Sequence, residues 1–232
     1  MTKDLFIQEL EKLEIYLTNK QILELEKYYK LLIEYNKNVN LTSITEKEGV
    51  YLKHFYDSLT LFKAIDLNKK YSICDIGTGA GFPGIVLKIV FPNLSITLVD
   101  SLEKRIKFLN NVIETLELKD IKTIHSRIEE LNLKEKFDIV VSRAVAKINV
   151  LLELGCQLPK IDGLFVFMKG KVDEELKISM DSIKKLNYNL EKIINFHLPI
   201  EQSERNIVVL RHISPTSSNY PRQFSKIKKK PL

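Results

Sequence analysis

A chain of 232 residues with 44% hydrophobic side chains is long enough to bury one large core, or one core plus a small extension. No apolar run reaches the roughly eighteen residues of a membrane span, and the opening stretch MTKDLFIQELEKLEIY has acids and glutamine where a signal peptide needs an uninterrupted apolar segment. A cytoplasmic protein away from the membrane is expected, and its net charge of +6 permits a polyanionic partner without requiring one. Cys74 and Cys156 sit among apolar residues with no Cys-x-x-Cys or histidine neighbour, so reduced structural thiols and no metal are expected.

Residues 1–65 lack strand signals and read as a helical N-terminal extension. DLFIQELEKLEIYL is amphipathic, and Thr18 with Gln21 three places on forms a candidate capping box for a second helix bearing Ile22, Leu25, Tyr29 and Leu32 at helical spacing. Tyr28, Tyr29 and Tyr35 suit packing against the main domain better than base stacking. After the polar NKNVNLTSITEKEG, a third helix is predicted over YLKHFYDSLTLF.

Residues 66–219 alternate strand and helix signals, the order that gives a doubly wound, mostly parallel sheet with helices on both faces. Tyr71 to Gly84, YSICDIGTGAGFPG, is a strand, a glycine turn and a helix start. Further strands are predicted at Leu94–Asp100, over IKTIHS, at Phe137–Ser142 and at Gly163–Lys169, with a helix from Leu102 to about Leu116. NLEKIINFHL and NIVVLRHI then suit a terminal antiparallel pair, for seven strands in all. Residues 220–232, YPRQFSKIKKKPL, form a basic tail with Arg222, Lys226, Lys228, Lys229 and Lys230 and no acid.

The glycine turn selects among nucleotide ligands. A dinucleotide fingerprint wants Gly-x-Gly-x-x-Gly, but here Phe82 fills its third glycine position and the pattern is Asp-x-Gly-x-Gly-x-Gly from Asp75. That form resembles motif I of the S-adenosylmethionine (SAM) dependent methyltransferases, and Asp75, Gly77 and Gly79 are its candidate cofactor contacts. Ligands of open α/β sheets bind at the carboxyl ends of the strands. Those ends carry Asp100, whose carboxylate can accept ribose hydroxyls or cap the next helix. They also carry Ser126-Arg127-Ile128-Glu129, which can hold an adenine edge, and Ser142-Arg143-Ala144, where an arginine at the ligand edge points to function.

Taken together, these segments resemble the bacterial 16S ribosomal RNA guanine-N7 methyltransferase G family, also known as the glucose-inhibited division protein B family. The resemblance rests on NLTSI (Asn40 to Ile44), KHFYDSL (Lys53 to Leu59), DIGTGAGFPG (Asp75 to Gly84), DSLEKRIKFL (Asp100 to Leu109), SRIEE, FDIVVSRAVA, the MKG after the fifth strand, YPR and KKPL, all in order. The chain departs from the family in the tail, where QFSKIK replaces a spacer bearing glycine and proline. The resemblance implies a class I, Rossmann-like SAM-dependent methyltransferase fold, with S-adenosylhomocysteine (SAH) as product and the small ribosomal subunit or its 16S RNA as partner of a monomeric enzyme. It further implies that Gly77, Phe82, Asp100, Ser101, Leu102, Ile128, Glu129 and Arg143 surround SAM. By the same resemblance Asn40, His54, Arg143 and Arg222 are candidates for RNA handling near the methyl group, the first three as catalytic residues, and the tail lysines are candidates for holding phosphates.

Guanine N7 has an in-plane lone pair and no proton, so no general base is needed. The sequence lacks the Asn/Asp-Pro-Pro-aromatic motif of amino-directed methyltransferases at Ser142-Arg143-Ala144-Val145, and Cys156 is not in the Pro-Cys turn of cytosine-C5 enzymes. A SAM enzyme with another substrate, an NAD-dependent oxidoreductase, and a non-catalytic RNA-binding or assembly factor on the same fold remain as alternatives.

Overall fold

A computed structural model of the protein describes residues 1–143 and 145–232; Ala144 of the expected Ser142-Arg143-Ala144 edge lies outside the described residues. Seven strands form one sheet: β1 (Ser72–Ile76), β2 (Ser95–Asp100), β3 (Ile121–His125), β4 (Phe137–Arg143), β5 (Pro159–Lys169), β6 (Tyr188–His197) and β7 (Glu204–His212). Their spatial order is β3-β2-β1-β4-β5-β7-β6. The first five pair in parallel, and β7 runs antiparallel between β5 and β6. The winding direction reverses between β1 and β4, which opens a crevice at their carboxyl ends.

Period-two alternation assigns the strand residues to two apolar layers. Ile73, Leu98, Ile139, Val141, Val166 and Val209 face one core, while Cys74, Ile76, Val99, Val140, Phe165 and Val208 face the other. Both faces of the central strands are buried, which is why they read as continuous apolar runs. α5 (Gly84–Val90) and α6 (Glu103–Thr115) cover the first face; α7 (Ile148–Gly155) and α8 (Asp173–Lys185) cover the second. β5 starts at Pro159, four residues before the predicted start, because its pairing with β4 continues through a register shift between Phe137 and Ile139. Cys156 follows α7 instead of lying inside it, and both cysteines are buried free thiols.

The first face also receives α1 (Lys3–Glu11), α2 (Asn19–Val39) and a helical stretch over residues 47–63. Thr18 and Gln21 make the expected capping box. On α2 the buried stripe is Leu25, Tyr28 and Leu32, so Tyr28 carries the packing that the spacing suggested for Tyr29. Tyr28 lies against Phe55, Phe82 and Phe108. The third helical stretch is α3 (Lys47–Val50), a π-helical segment Tyr51–Tyr56, α4 (Asp57–Leu59) and a 3₁₀ turn Thr60–Lys63. The wide π turn carries His54 towards the sheet edge, in keeping with the frequent placement of such turns at functional sites. Residues 220–232 include a short helix, α9 (Phe224–Lys229), whose Ile227 is fully buried. No helix among the described residues is long and apolar enough to cross a membrane.

Candidate active site

The glycine turn is pinned to the neighbouring strand, with the Gly77 and Thr78 amides donating to the Val99 carbonyl at 2.9 and 3.1 Å. Gly79, at φ +62°, is the glycine whose added Cβ would enter open space, so its Cα face is free for a ligand. The others serve packing: a Cβ at Gly77 would meet Val145 at 2.6 Å, one at Gly81 would meet the Tyr28 hydroxyl at 2.8 Å, and one at Gly84 would overlap Leu98. Asp75 is fully buried and faces inward, outside the cavity lining. Its Oδ2 accepts from the Thr78 hydroxyl at 2.6 Å and the Gly84 amide at 2.9 Å, which ties the turn to the start of α5. Burial pushes its carboxyl up to about 6, partly offset by those bonds and by the Arg143 charge. Oδ1 has no partner.

Beyond the turn lies a cavity of about 1150 Å³ lined by Gly77, Gly79, Phe82, Asp100, Ser101, Ile128, Glu129 and Arg143 from the expected set. Leu102 is not in the lining. Its side chain is exposed and its amide donates to Asp100 Oδ1 at 2.9 Å. The other Asp100 oxygen accepts from the Gly79 amide at 3.0 Å and from Arg105 at 3.1 Å. A carboxylate offers about four acceptor positions, so Arg105 shares the group expected to meet a ribose.

His54, Asp57, Arg143 and Arg205 form a cluster in the lining of the same cavity. His54 stacks on Phe82 at 4.3 Å with an interplanar angle of 18°. Its Nε2 lies 2.9 Å from the Thr42 hydroxyl, and its Nδ1 lies 3.2 Å from the Lys53 carbonyl and 3.3 Å from an Arg143 nitrogen. Burial, reinforced by the Arg143 charge, pushes the imidazole down to about 3, so the ring is neutral at physiological pH. Arg143 lies over the Phe82 ring at 5.2 Å and donates to the Lys53 carbonyl at 2.8 Å and to Asp57 Oδ2 at 2.9 Å. Arg205 donates to Asp57 Oδ1 at 3.0 Å. Asp57 therefore holds two arginines from two strands.

Asp57, Arg205 and Thr42 were not singled out by sequence reasoning. Asp57 lies three residues after His54, within KHFYDSL, which was a usable signal. Arg205 has none, because it reaches the edge only through the antiparallel course of β7.

The structure does not bring Asn40 into the lining. It ends α2 in the left-handed conformation, φ 47° and ψ 59°, and the next residues, Leu41 and Thr42, reach the cavity instead. Arg222 is likewise outside, with Nε and Nη2 at 2.5 and 2.6 Å from the two oxygens of the buried Glu153. Of the tail lysines, Lys228 lines the cavity and Lys226, Lys229 and Lys230 do not. Ser58 donates to the His54 carbonyl at 2.6 Å, an internal helix bond that leaves no hydrolase dyad. Burial pushes the Cys156 thiol up to about 12 and Cys74 further, which suppresses thiolate nucleophiles.

The sheet order, the glycine turn and the acid closing β2 define the Rossmann-like fold of SAM-dependent methyltransferases. Solved structures share it: a SAM-dependent methyltransferase from Aquifex aeolicus superposes with a TM-score of 0.55 at 16% identity, covering 70% of this chain and 93% of that one. TYW2 of M. jannaschii, solved in complex with AdoMet, gives 0.54 at 15% identity, covering 68% and 77%. The family model GidB, rRNA small subunit methyltransferase G, matches residues 21–208, and the chain belongs to that family. Relatives named ribosomal RNA small subunit methyltransferase G include one from Bacillus velezensis, 45% identical over 98% of this chain and 97% of the relative. Another, from Staphylococcus carnosus, is 44% identical over 97% of each.

Proposed function

We propose that this chain transfers the methyl group of SAM to N7 of a guanine in 16S ribosomal RNA, leaving SAH. The observation that carries the reading is one cavity lined both by Gly79, whose face is open, and Asp100 and by the Arg143 and His54 cluster. Family membership supports the RNA substrate. In this reading Gly77, Gly79, Phe82, Asp100, Ser101, Ile128 and Glu129 hold SAM. The cavity fits it, with an uncrowded glycine for close approach, a carboxylate for a ribose and Glu129 for an adenine edge. Residues 66–219 form the cofactor domain, and the helices of residues 1–65 add Thr42, Lys53, His54 and Asp57 to the acceptor side. In this reading the enzyme acts as a monomer, in the cytoplasm where its RNA substrate would be met.

When bound, SAM supplies an electrophilic sulfonium methyl. The residues supply position. A purine nitrogen that already has a free lone pair needs no base, in keeping with a His54 whose pKa, lowered to about 3, makes it a weak base and an Asp57 committed to two arginines. Holding nucleophile and methyl in line contributes ~7–11 kcal/mol to lowering the barrier. N7 lies in the major groove, which in A-form RNA is too deep and narrow for side chains, so the guanine is unpaired or extruded. Arg143, clamped by Asp57 and laid over Phe82, and His54, stacked on the same ring, orient the purine. The lysines near the mouth, Lys228 among them, hold phosphates.

The test is incubation with methyl-labelled SAM and unmodified small-subunit RNA, followed by reduction and cleavage at N7-methylguanosine. One new cut is expected. Label without a cut assigns the methyl to another atom, and RNA that takes up no label overturns the reading.

A further inference from the structure

Segment 220–232 was expected to be a basic arm for RNA, but it lies docked along α7. The Glu153 carboxylate, fully buried, receives Nε and Nη2 of Arg222 at 2.5 and 2.6 Å and the Arg222 amide at 3.3 Å. Asn149 Nδ2 donates to the Leu232 carbonyl at 3.0 Å and Gln157 Nε2 donates to the Tyr220 carbonyl at 2.5 Å, so α7 and the turn that follows it hold the segment at both ends. Ile227 is fully buried between these points.

Docking in this way brings Phe224, Lys228 and Pro231 into the same cavity as Ile128 and Glu129. The Arg127 guanidinium lies over the Phe224 ring at 5.8 Å, which joins the segment to the loop after β3. A bidentate arginine on a buried carboxylate fixes geometry where a free basic arm would not.

We propose that segment 220–232 is a wall of the cofactor end of the cavity, with Phe224 covering the nucleoside beside Ile128 and Glu129, and that Arg222 is a positioning residue for SAM acting through Glu153. The proposal rests on the SAM reading above and reassigns Arg222 from RNA contact to cofactor retention. It also accounts for a buried carboxylate that no step of methyl transfer uses.

Calorimetry of SAH binding and steady-state KM for small-subunit RNA, on the full chain, separate the two roles. Phe224 is 39% exposed, so Phe224→Ala should fold as wild type; Arg222→Lys keeps the charge but loses the fork that grips Glu153. Both variants should raise the SAH Kd about fivefold or more while the RNA KM stays within about twofold, with melting temperature recorded alongside. Phe224→Ala carries the test if Arg222→Lys fails to fold. Unchanged SAH affinity in Phe224→Ala, or a raised RNA KM with SAH affinity intact, overturns the proposal in favour of an RNA arm. Failure of wild type to bind SAH would instead remove the SAM reading, and this proposal with it.

Discussion

Arg143 and Asp57, 86 residues apart in sequence, meet at 2.9 Å with both side chains about nine-tenths buried. One stands at the carboxyl end of β4 and the other in the helical stretch packed on the sheet edge. The same carboxylate takes Arg205 on its second oxygen. The pair joins the N-terminal helical part of the chain to the carboxyl end of β4 at the cavity.

Asp57→Asn keeps the shape of the side chain and removes its charge, leaving two guanidinium groups close together without their counter-ion. Uncompensated buried charge costs about 3–5 kcal/mol, and denaturant unfolding should register a loss of that order. Turnover should fall with it, while SAH affinity measured on the folded fraction stays near wild type because Asp57 lies on the acceptor side. A variant as stable and as active as wild type would contradict the hub.

Arg143→Ala should behave differently, because Asp57 keeps its bond to Arg205 and no acid is orphaned. The fold should persist, with methyl transfer reduced about 100-fold or more, the scale on which a positioned charged donor acts. Circular dichroism and single-turnover kinetics check the two halves. Wild-type turnover would remove Arg143 from the mechanism.

The glycines separate ligand approach from packing. Gly79→Ala places a methyl in open space at positive φ, so it should cost only about 1 kcal/mol of stability yet weaken SAH binding. Gly84→Ala drives a methyl into Leu98 and the Asp75 carboxylate, so it should lower the melting temperature sharply. Equal behaviour of the two in thermal melts would argue against this division.

His54 makes stability depend on acid. Its folded pKa, about 3, lies below the unfolded value of 6.5, so its contribution is complete above pH 6.5 and is lost as pH falls towards 3. The loss is about 1.4 kcal/mol per pH unit within that window. Asp75 acts in the opposite sense: raised from 3.8 to about 6, it favours the fold below about 4 and loses that contribution as pH rises through 6. Comparing wild type with His54→Asn by urea unfolding at pH 7.5, 6 and 5 cancels the Asp75 contribution. The wild-type protein should lose stability relative to the variant at each step down, and parallel curves would rule out a buried neutral histidine.

Much of the fold is legible before any coordinates. β1, β2 and β4 are short apolar runs because their residues are buried on both faces, and the glycine turn announces itself by the spacing of Gly77, Gly79, Gly81 and Gly84 after Asp75. The capping box at Thr18 and Gln21 is equally local. The start of β5 is less legible, because its extension to Pro159 depends on pairing with Phe137 across a register shift.

What the amino-acid order determined by itself was the alternation of strands and helices, the turn that selects against a dinucleotide, and the string of motifs that marks the family, all of them set by neighbours in the chain. Tertiary structure decided which charges face one another. Arg205 reaches the site only because β7 runs antiparallel, Asp57 meets two arginines only across 86 and 148 residues, and Arg222 turns from a phosphate ligand into the partner of a buried glutamate. Such pairings follow from desolvation, since a charge taken out of water must find its complement wherever the packed chain supplies one.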